Sequence, residues 1–129
     1  MIVGLAWVAL GSALGGMARF GLSGLVARRV GETFPWGTLV VNVSGAFAIG
    51  FVAAAADIGH AVFASVSHWQ LAVIGFFGSY TTVSSFSLQT LALARDGAFV
   101  RAAGNILLSL VLCLGAVGLG FATGHRVFG

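Results

Sequence analysis

The chain has 129 residues, of which 59% are hydrophobic and 7% charged: six arginines, no lysine, two aspartates and one glutamate. A water-soluble domain carries about a quarter charged residues because its surface faces water. This composition, with a mean hydropathy of +1.07, therefore excludes a soluble globule. The lone Cys113 excludes an internal disulfide, and no Cys or His cluster has zinc-ligand spacing. The net charge of +3 comes from arginines scattered along the chain, which form no nucleic-acid-binding face and read instead as membrane-topology signals.

A bilayer core about 30 Å thick needs roughly 20 mainly apolar helical residues to cross it. Four segments qualify, and together they predict an all-α membrane protein with a single four-span domain over residues 1–129. The first span covers about residues 2–26, interrupted by Arg19 and ended by Arg28 and Arg29. Lacking a basic leader region and too long for a signal-peptide core, it is expected to stay as a helix. The second covers about 37–56, after Phe34-Pro35-Trp36 and before Asp57; the third covers about 69–94, stopped by Arg95-Asp96-Gly97. The fourth covers about 98–123, with Arg101 near its start and His125-Arg126 after its end. Trp36 and Trp69 fall at span edges, where amphipathic rings favour the headgroup zone. Connections of about a dozen residues at most leave no room for an extramembrane domain. Arg28, Arg29, Arg95 and Arg101 on one side against Arg126 on the other would put both termini outside by the positive-inside rule.

Several chemistries find no residues. All three acids, Glu32, Asp57 and Asp96, lie in loops, so no carboxylate sits at membrane depth to exchange a proton for cargo, as a proton-coupled exporter requires. His60, His68 and His125 fall at span ends and read as solvated loop residues. The Asn42-Val43-Ser44 sequon lies inside a span, beyond a transferase's reach. No nucleophile, base and acid can be assembled, so an enzyme is not expected. Gly11-x-x-x-Gly15 and Gly120-x-x-x-Gly124 are close-packing patterns.

The spans are unusual in their polar residues. From Ser79 to Ser87, seven of nine residues carry a hydroxyl, a density that favours a protein-enclosed, wet or ion-lined environment over lipid. The alternative is that these hydroxyls bond back to their own helix or glue neighbouring helices. Gly75 and Gly78, followed by β-branched residues, predict a helix break near the bilayer centre, which would free backbone groups to bind ions. Thr38 and Asn42 share a face of the second span, and Asn105 and Ser109 a face of the fourth; each pair serves either as interhelical glue or as part of one donor-rich path. Donors without acids suit an anion, whose lost hydration must be replaced by N–H, O–H or the positive edges of aromatic rings. Phe86 shares the face of Thr82 and Thr90. Arg19 either snorkels to the interface or sets a positive potential at a pore mouth. Four short spans are few to enclose a pore, so at least a dimer is expected. A non-transporting membrane anchor remains the alternative from a different class.

Three segments in order, Gly15-Gly-Met-Ala-Arg-Phe20, Gly37-Thr-Leu-Val-Val-Asn42 and Gly75-Phe-Phe-Gly-Ser-Tyr-Thr-Thr-Val-Ser-Ser-Phe86, resemble the Fluc (CrcB) family of small fluoride channels, and the resemblance spans essentially the whole chain. It implies a multi-pass protein of the bacterial inner (plasma) membrane, an antiparallel dual-topology homodimer with two pores passing fluoride down its gradient, and contacts with membrane lipid but not nucleic acid. It further implies that Asn42 and Phe86 line the pore and that Ser84, Ser85 and Ser109 supply its polar track; Thr38, Asn105 and Val83 complete the expected pore residues. Arg19 would match a vestibule arginine, and the carbonyls of Gly78 and Thr81 would hold a structural sodium ion at the dimer centre. The sequence departs from the family pattern where Val83 replaces a phenylalanine, Tyr80 an aliphatic residue, Gln89 an acid and Asn105 an aromatic hydroxyl. The arginine asymmetry leaves a heterodimeric channel subunit as an alternative assembly.

Overall fold

The computed structural model describes residues 1–59 and 65–129; His60 lies outside them. Its elements are α1 (Ile2–Val30), α2 (Trp36–Asp57), α3 (Val66–Trp69), a π-helical stretch (Gln70–Phe77), α4 (Gly78–Tyr80), α5 (Ser84–Arg95) and α6 (Phe99–Phe128). Four stretches are long and apolar enough to cross a membrane: α1, α2, the composite third span Val66–Arg95, and α6. Among the described residues there is no strand.

The helices run past the arginines and histidine that were read as stops. Arg28 and Arg29 occupy the last turn of α1, and His125 and Arg126 that of α6. The arginines there complement the negative end of the helix dipole. The turn from α5 to α6 closes as a Schellman motif, Ala98 N–H donating to the Leu93 carbonyl at 2.8 Å and Gly97 N–H to that of Ala94 at 3.1 Å. Gly97 takes φ +79°, a left-handed conformation that suits glycine.

Packing depends on glycine, because lipid tails give apolar side chains no reason to prefer one another and close backbone approach supplies the attraction. One seam joins α1 to the π-helical stretch. A Cβ on Gly11 would strike the Leu71 carbonyl, and one on Gly15 that of Phe76, while a Cβ on Gly75 would lie 2.9 Å from the Gly11 Cα. The other seam joins α2 to α6: a Cβ on Gly50 would strike the Val117 carbonyl, and one on Gly120 that of Phe47. Both small-residue motifs read from the sequence thus sit where backbones meet. α2 is the most enclosed helix, with Val41, Ala54 and Ala55 fully buried, and it touches α1 through Gly37, whose Cβ would come 2.7 Å from the Ser23 carbonyl.

Gly120→Ala is expected to lower the thermal unfolding midpoint of detergent-purified protein, reflecting a loss of about 1–3 kcal/mol from overpacking. Gly118→Ala, whose added Cβ meets nothing within 4 Å, should leave it in place. Equal midpoints for the two variants would discard the seam.

Candidate functional site at the break in the third span

The third span breaks at Thr81–Val83, the β-branched residues that follow the Gly75 and Gly78 pair. Gly75 serves the seam with α1 and stays helical. The chain leaves the helix at Thr81, with φ −77° and ψ 155°. At membrane depth no water takes the freed backbone groups, so protein must. Asn42 on α2 does so with both ends of its amide: Nδ2 donates to the Thr82 carbonyl at 2.8 Å, and Thr82 N–H donates to Oδ1 at 2.7 Å. One N–H of Asn42 is committed to the backbone by this pair, and the second is left over.

Two further side chains complete the break. The Thr82 hydroxyl accepts from Ser85 N–H at 3.1 Å and bonds the Ser84 hydroxyl at 3.2 Å, which caps α5 just ahead of its first helical residue. The Tyr80 hydroxyl meets Ser44 of α2 at 2.8 Å, and its ring stacks on Phe76 with centroids 5.7 Å apart. In an uninterrupted helix Thr82 N–H would bond the Gly78 carbonyl, and Ser85 N–H that of Thr81. Here the first donor goes to Asn42 and the second to the Thr82 side chain, which releases both carbonyls from the ladder.

Of the seven clustered hydroxyls, Thr81 bonds back to the Phe77 carbonyl at 2.9 Å, as the helix-bonding alternative anticipates, whereas Tyr80, Thr82 and Ser84 make the contacts of the break. Among the described residues the Ser79, Ser85 and Ser87 hydroxyls take no partner.

Beside the break, a cleft of about 650 Å³ runs between α1, the start of α2, and α5. Arg19, Thr38, Thr82, Ser85 and Gln89 line it, and so do the acids Glu32 and Asp96. Among the described residues Arg19 forms no ion pair, and the Gln89 Oε1 is buried without a hydrogen-bond partner. The cleft therefore brings together three of the residues singled out from the sequence: Arg19, Thr38 and Ser85. Phe86 is half-buried on α5, and Val83 at the break is 76% exposed.

Asn105, 2% exposed, is enclosed rather than open. Its Nδ2 donates to the Thr90 hydroxyl at 2.9 Å, and that hydroxyl donates to the Phe86 carbonyl at 2.7 Å. Ser109, one turn further along α6, is half-buried and joins neither group. His125, expected in a loop, lies in the last turn of α6, solvent-accessible, with its Nε2 3.3 Å from Asp57 Oδ2 at the end of α2. Thr82 was not among the candidate site residues, although a threonine just ahead of a helix is a favoured capping residue.

A family model described as CrcB-like protein, Camphor Resistance (CrcB), matches residues 6–121. The chain belongs to this family. It is 68% identical over 122 residues to a protein of Rhodopseudomonas palustris (strain BisB18) named fluoride-specific ion channel FluC 2, covering 95% of this chain and 93% of that one. A protein of the same name from Bradyrhizobium diazoefficiens is 55% identical over 94% of this chain and 88% of its own length. Fluoride-specific ion channel FluC of Opitutus terrae is 55% identical over 88% and 86%. Membership in the CrcB-like family agrees with the resemblance carried by the three ordered motifs.

Asn42→Ala would leave the Thr82 N–H and carbonyl unpaired away from water, a loss of about 2 kcal/mol. A thermal melt should register it as a lowered midpoint. An unchanged midpoint would mean that the break does not depend on Asn42.

Proposed function

We propose that this protein is a passive fluoride-selective ion channel of a bacterial membrane, letting cytoplasmic fluoride leave down its electrochemical gradient. The observation that carries this reading is a break in the third span surrounded by hydroxyl and amide donors, with the three carboxylates in the connections or at a helix end. Fluoride is small and strongly hydrated, so a path must replace its water with N–H and O–H groups. Family membership and the names borne by the relatives point the same way, and neither suggests an enzyme.

In this reading the ion enters by the cleft, where the Arg19 guanidinium attracts anions and Thr38 and Ser85 offer hydroxyls. It passes the free N–H of Asn42, Ser84 and the ring edge of Phe86, with Ser109 further along. Val83 offers no polarised edge, so Phe86 alone supplies that kind of contact. Asn105 stands behind this path, because its amide is enclosed and bonded to Thr90.

The polar path needs a cover. Ser84 and Ser87 are exposed; Ser87 takes no partner among the described residues and Ser84 has one contact, at 3.2 Å with Thr82, so lipid against them would leave hydroxyl capacity unsatisfied. A second copy against this face, inserted in the opposite sense, would shield them and bring the two breaks together. The released Gly78 and Thr81 carbonyls are neutral oxygen donors suited to a hard monovalent cation. They fit a structural sodium ion shared between the two subunits, whose positive charge would hold the opposed breaks together.

Purified protein in liposomes should release fluoride rapidly when a potassium ionophore balances charge, with little chloride leak. Phe86→Ile should slow that efflux by roughly tenfold while the dimer survives gel filtration. No efflux from folded wild-type dimer would overturn the homodimeric channel and favour a subunit that needs an oppositely inserted partner. For the cation, replacing sodium with N-methylglucamine should lower the unfolding midpoint of the wild type. Thr82→Val, which removes the hydroxyl that draws Ser85 N–H away from the Thr81 carbonyl, should weaken that sodium dependence; an undiminished dependence would remove these carbonyls from the site.

A further inference from the structure

The chain of hydrogen bonds from Asn105 through Thr90 to the Phe86 carbonyl crosses from α6 to α5 and ends on the turn that carries the proposed pore ring. We infer that Asn105 and Thr90 are positioning residues: they fix the helical turn of Phe86, and with it the ring, against α6. The inference rests on the fluoride-channel reading and extends it to two side chains that do not touch the ion.

The geometry is directional at each step. Asn105 Nδ2 has only donors to give, so in the 2.9 Å contact the Thr90 oxygen accepts. The Thr90 hydroxyl then has its own proton free for the Phe86 carbonyl 2.7 Å away. Threonine in a helix divides between two χ1 rotamers, one of which places its hydroxyl on the carbonyl four residues earlier. The donor from Asn105 favours that rotamer and polarises the hydroxyl, which strengthens the second bond. A carbonyl that takes this extra bond tilts off the helix axis and bends the turn locally. Asn105 is itself 2% exposed, so its amide is held by its surroundings and cannot exchange Thr90 for water. A shift of α6 against α5 would therefore reach Phe86 through three atoms at fixed distances.

A single carbonyl can be watched. Phe86-Ser87 is the sole Phe-Ser pair in the sequence, so protein labelled with carbonyl-¹³C phenylalanine and ¹⁵N serine gives one carbonyl–amide correlation, that of Phe86. In Thr90→Val, which keeps the side-chain shape, the Phe86 carbonyl signal should move upfield and fluoride efflux should fall by roughly tenfold, the effect of one hydrogen bond. Thr90→Ser, which keeps the hydroxyl, should restore both readouts. Asn105→Leu should move the signal in the same direction by less, since the Thr90 bond survives without its donor.

A Phe86 signal unmoved in Thr90→Val overturns the relay. A moved signal with wild-type efflux and wild-type discrimination against chloride overturns its positioning role. Absence of fluoride efflux from the wild type itself would instead sink the channel reading, and the purpose assigned to the relay with it. The carbonyl signal separates these cases, because it reports the hydrogen bonds in protein of any activity.

Discussion

The reciprocal pair between Asn42 and the Thr82 backbone is the contact on which the rest of the site depends. A helix broken inside a bilayer loses ladder bonds that water cannot replace, and each orphaned group costs several kcal/mol in hydrocarbon. Asn42 supplies a donor and an acceptor from one planar group, which matches the N–H and C=O of a single residue. Once Thr82 is held there, its hydroxyl stands ahead of α5 and caps it. The Gly78 and Thr81 carbonyls lose their helical donors as a direct result. Breaking the helix, starting the next one and exposing two oxygens are thus consequences of one amide on the neighbouring helix.

That amide must be delivered accurately, and the glycine seams provide the means. Asn42 lies between Gly37, which meets α1 at Ser23, and Gly45, whose missing Cβ leaves space for Thr81 and Tyr80. Further along the same helix Gly50 meets α6. α1 and α6 are therefore approached at backbone distance, where a shift of a few tenths of an ångström brings a carbonyl into a hard clash, and the break is approached through the side chains of Thr81 and Tyr80. Packing of this kind is stiff without being bulky, and it explains how a chain with so few large buried side chains holds a polar contact in register. The Tyr80–Ser44 bond ties the near side of the break to α2 just as Asn42 ties the far side.

The sequence made the spans legible because length and apolarity alone define a crossing helix, and it made the hydroxyl cluster legible because polar side chains in a span demand a reason. Asn42 stood out for the same cause. The break itself could be read from the glycines and the β-branched residues after them, but the contact that closes it could not: the ladder parts where a partner 40 residues earlier in the chain can replace it. The π-helical stretch carries no periodic signature of its own, and its backbone lies against Gly11 and Gly15 of another helix. Asn105 illustrates the remaining limit. Its spacing to Ser109 placed both on one face, but only the position of α5 decides that one of them is enclosed with Thr90.

A division of labour among the polar groups follows. The amides of Asn42 and Asn105 are engaged mainly with the protein: one with the broken backbone, one with Thr90. The hydroxyls of Ser85 and Ser87 take no partner among the described residues, and Ser84 has a single long contact. Amides suit the structural task, since a planar group with fixed donors and acceptors selects one geometry. Hydroxyls suit a moving anion, since each can rotate its proton toward the ion and away again at little cost. In the proposed channel, then, the unpartnered serine hydroxyls are left to the ion, while the amides, together with the hydroxyls of Tyr80, Thr82 and Thr90, hold the helices. The replacement of an aromatic ring by Val83, 76% exposed at the break, falls on the conducting side of that division. It leaves the Asn42–Thr82 pair and both seams untouched, so it should alter the passage of the ion without loosening the fold.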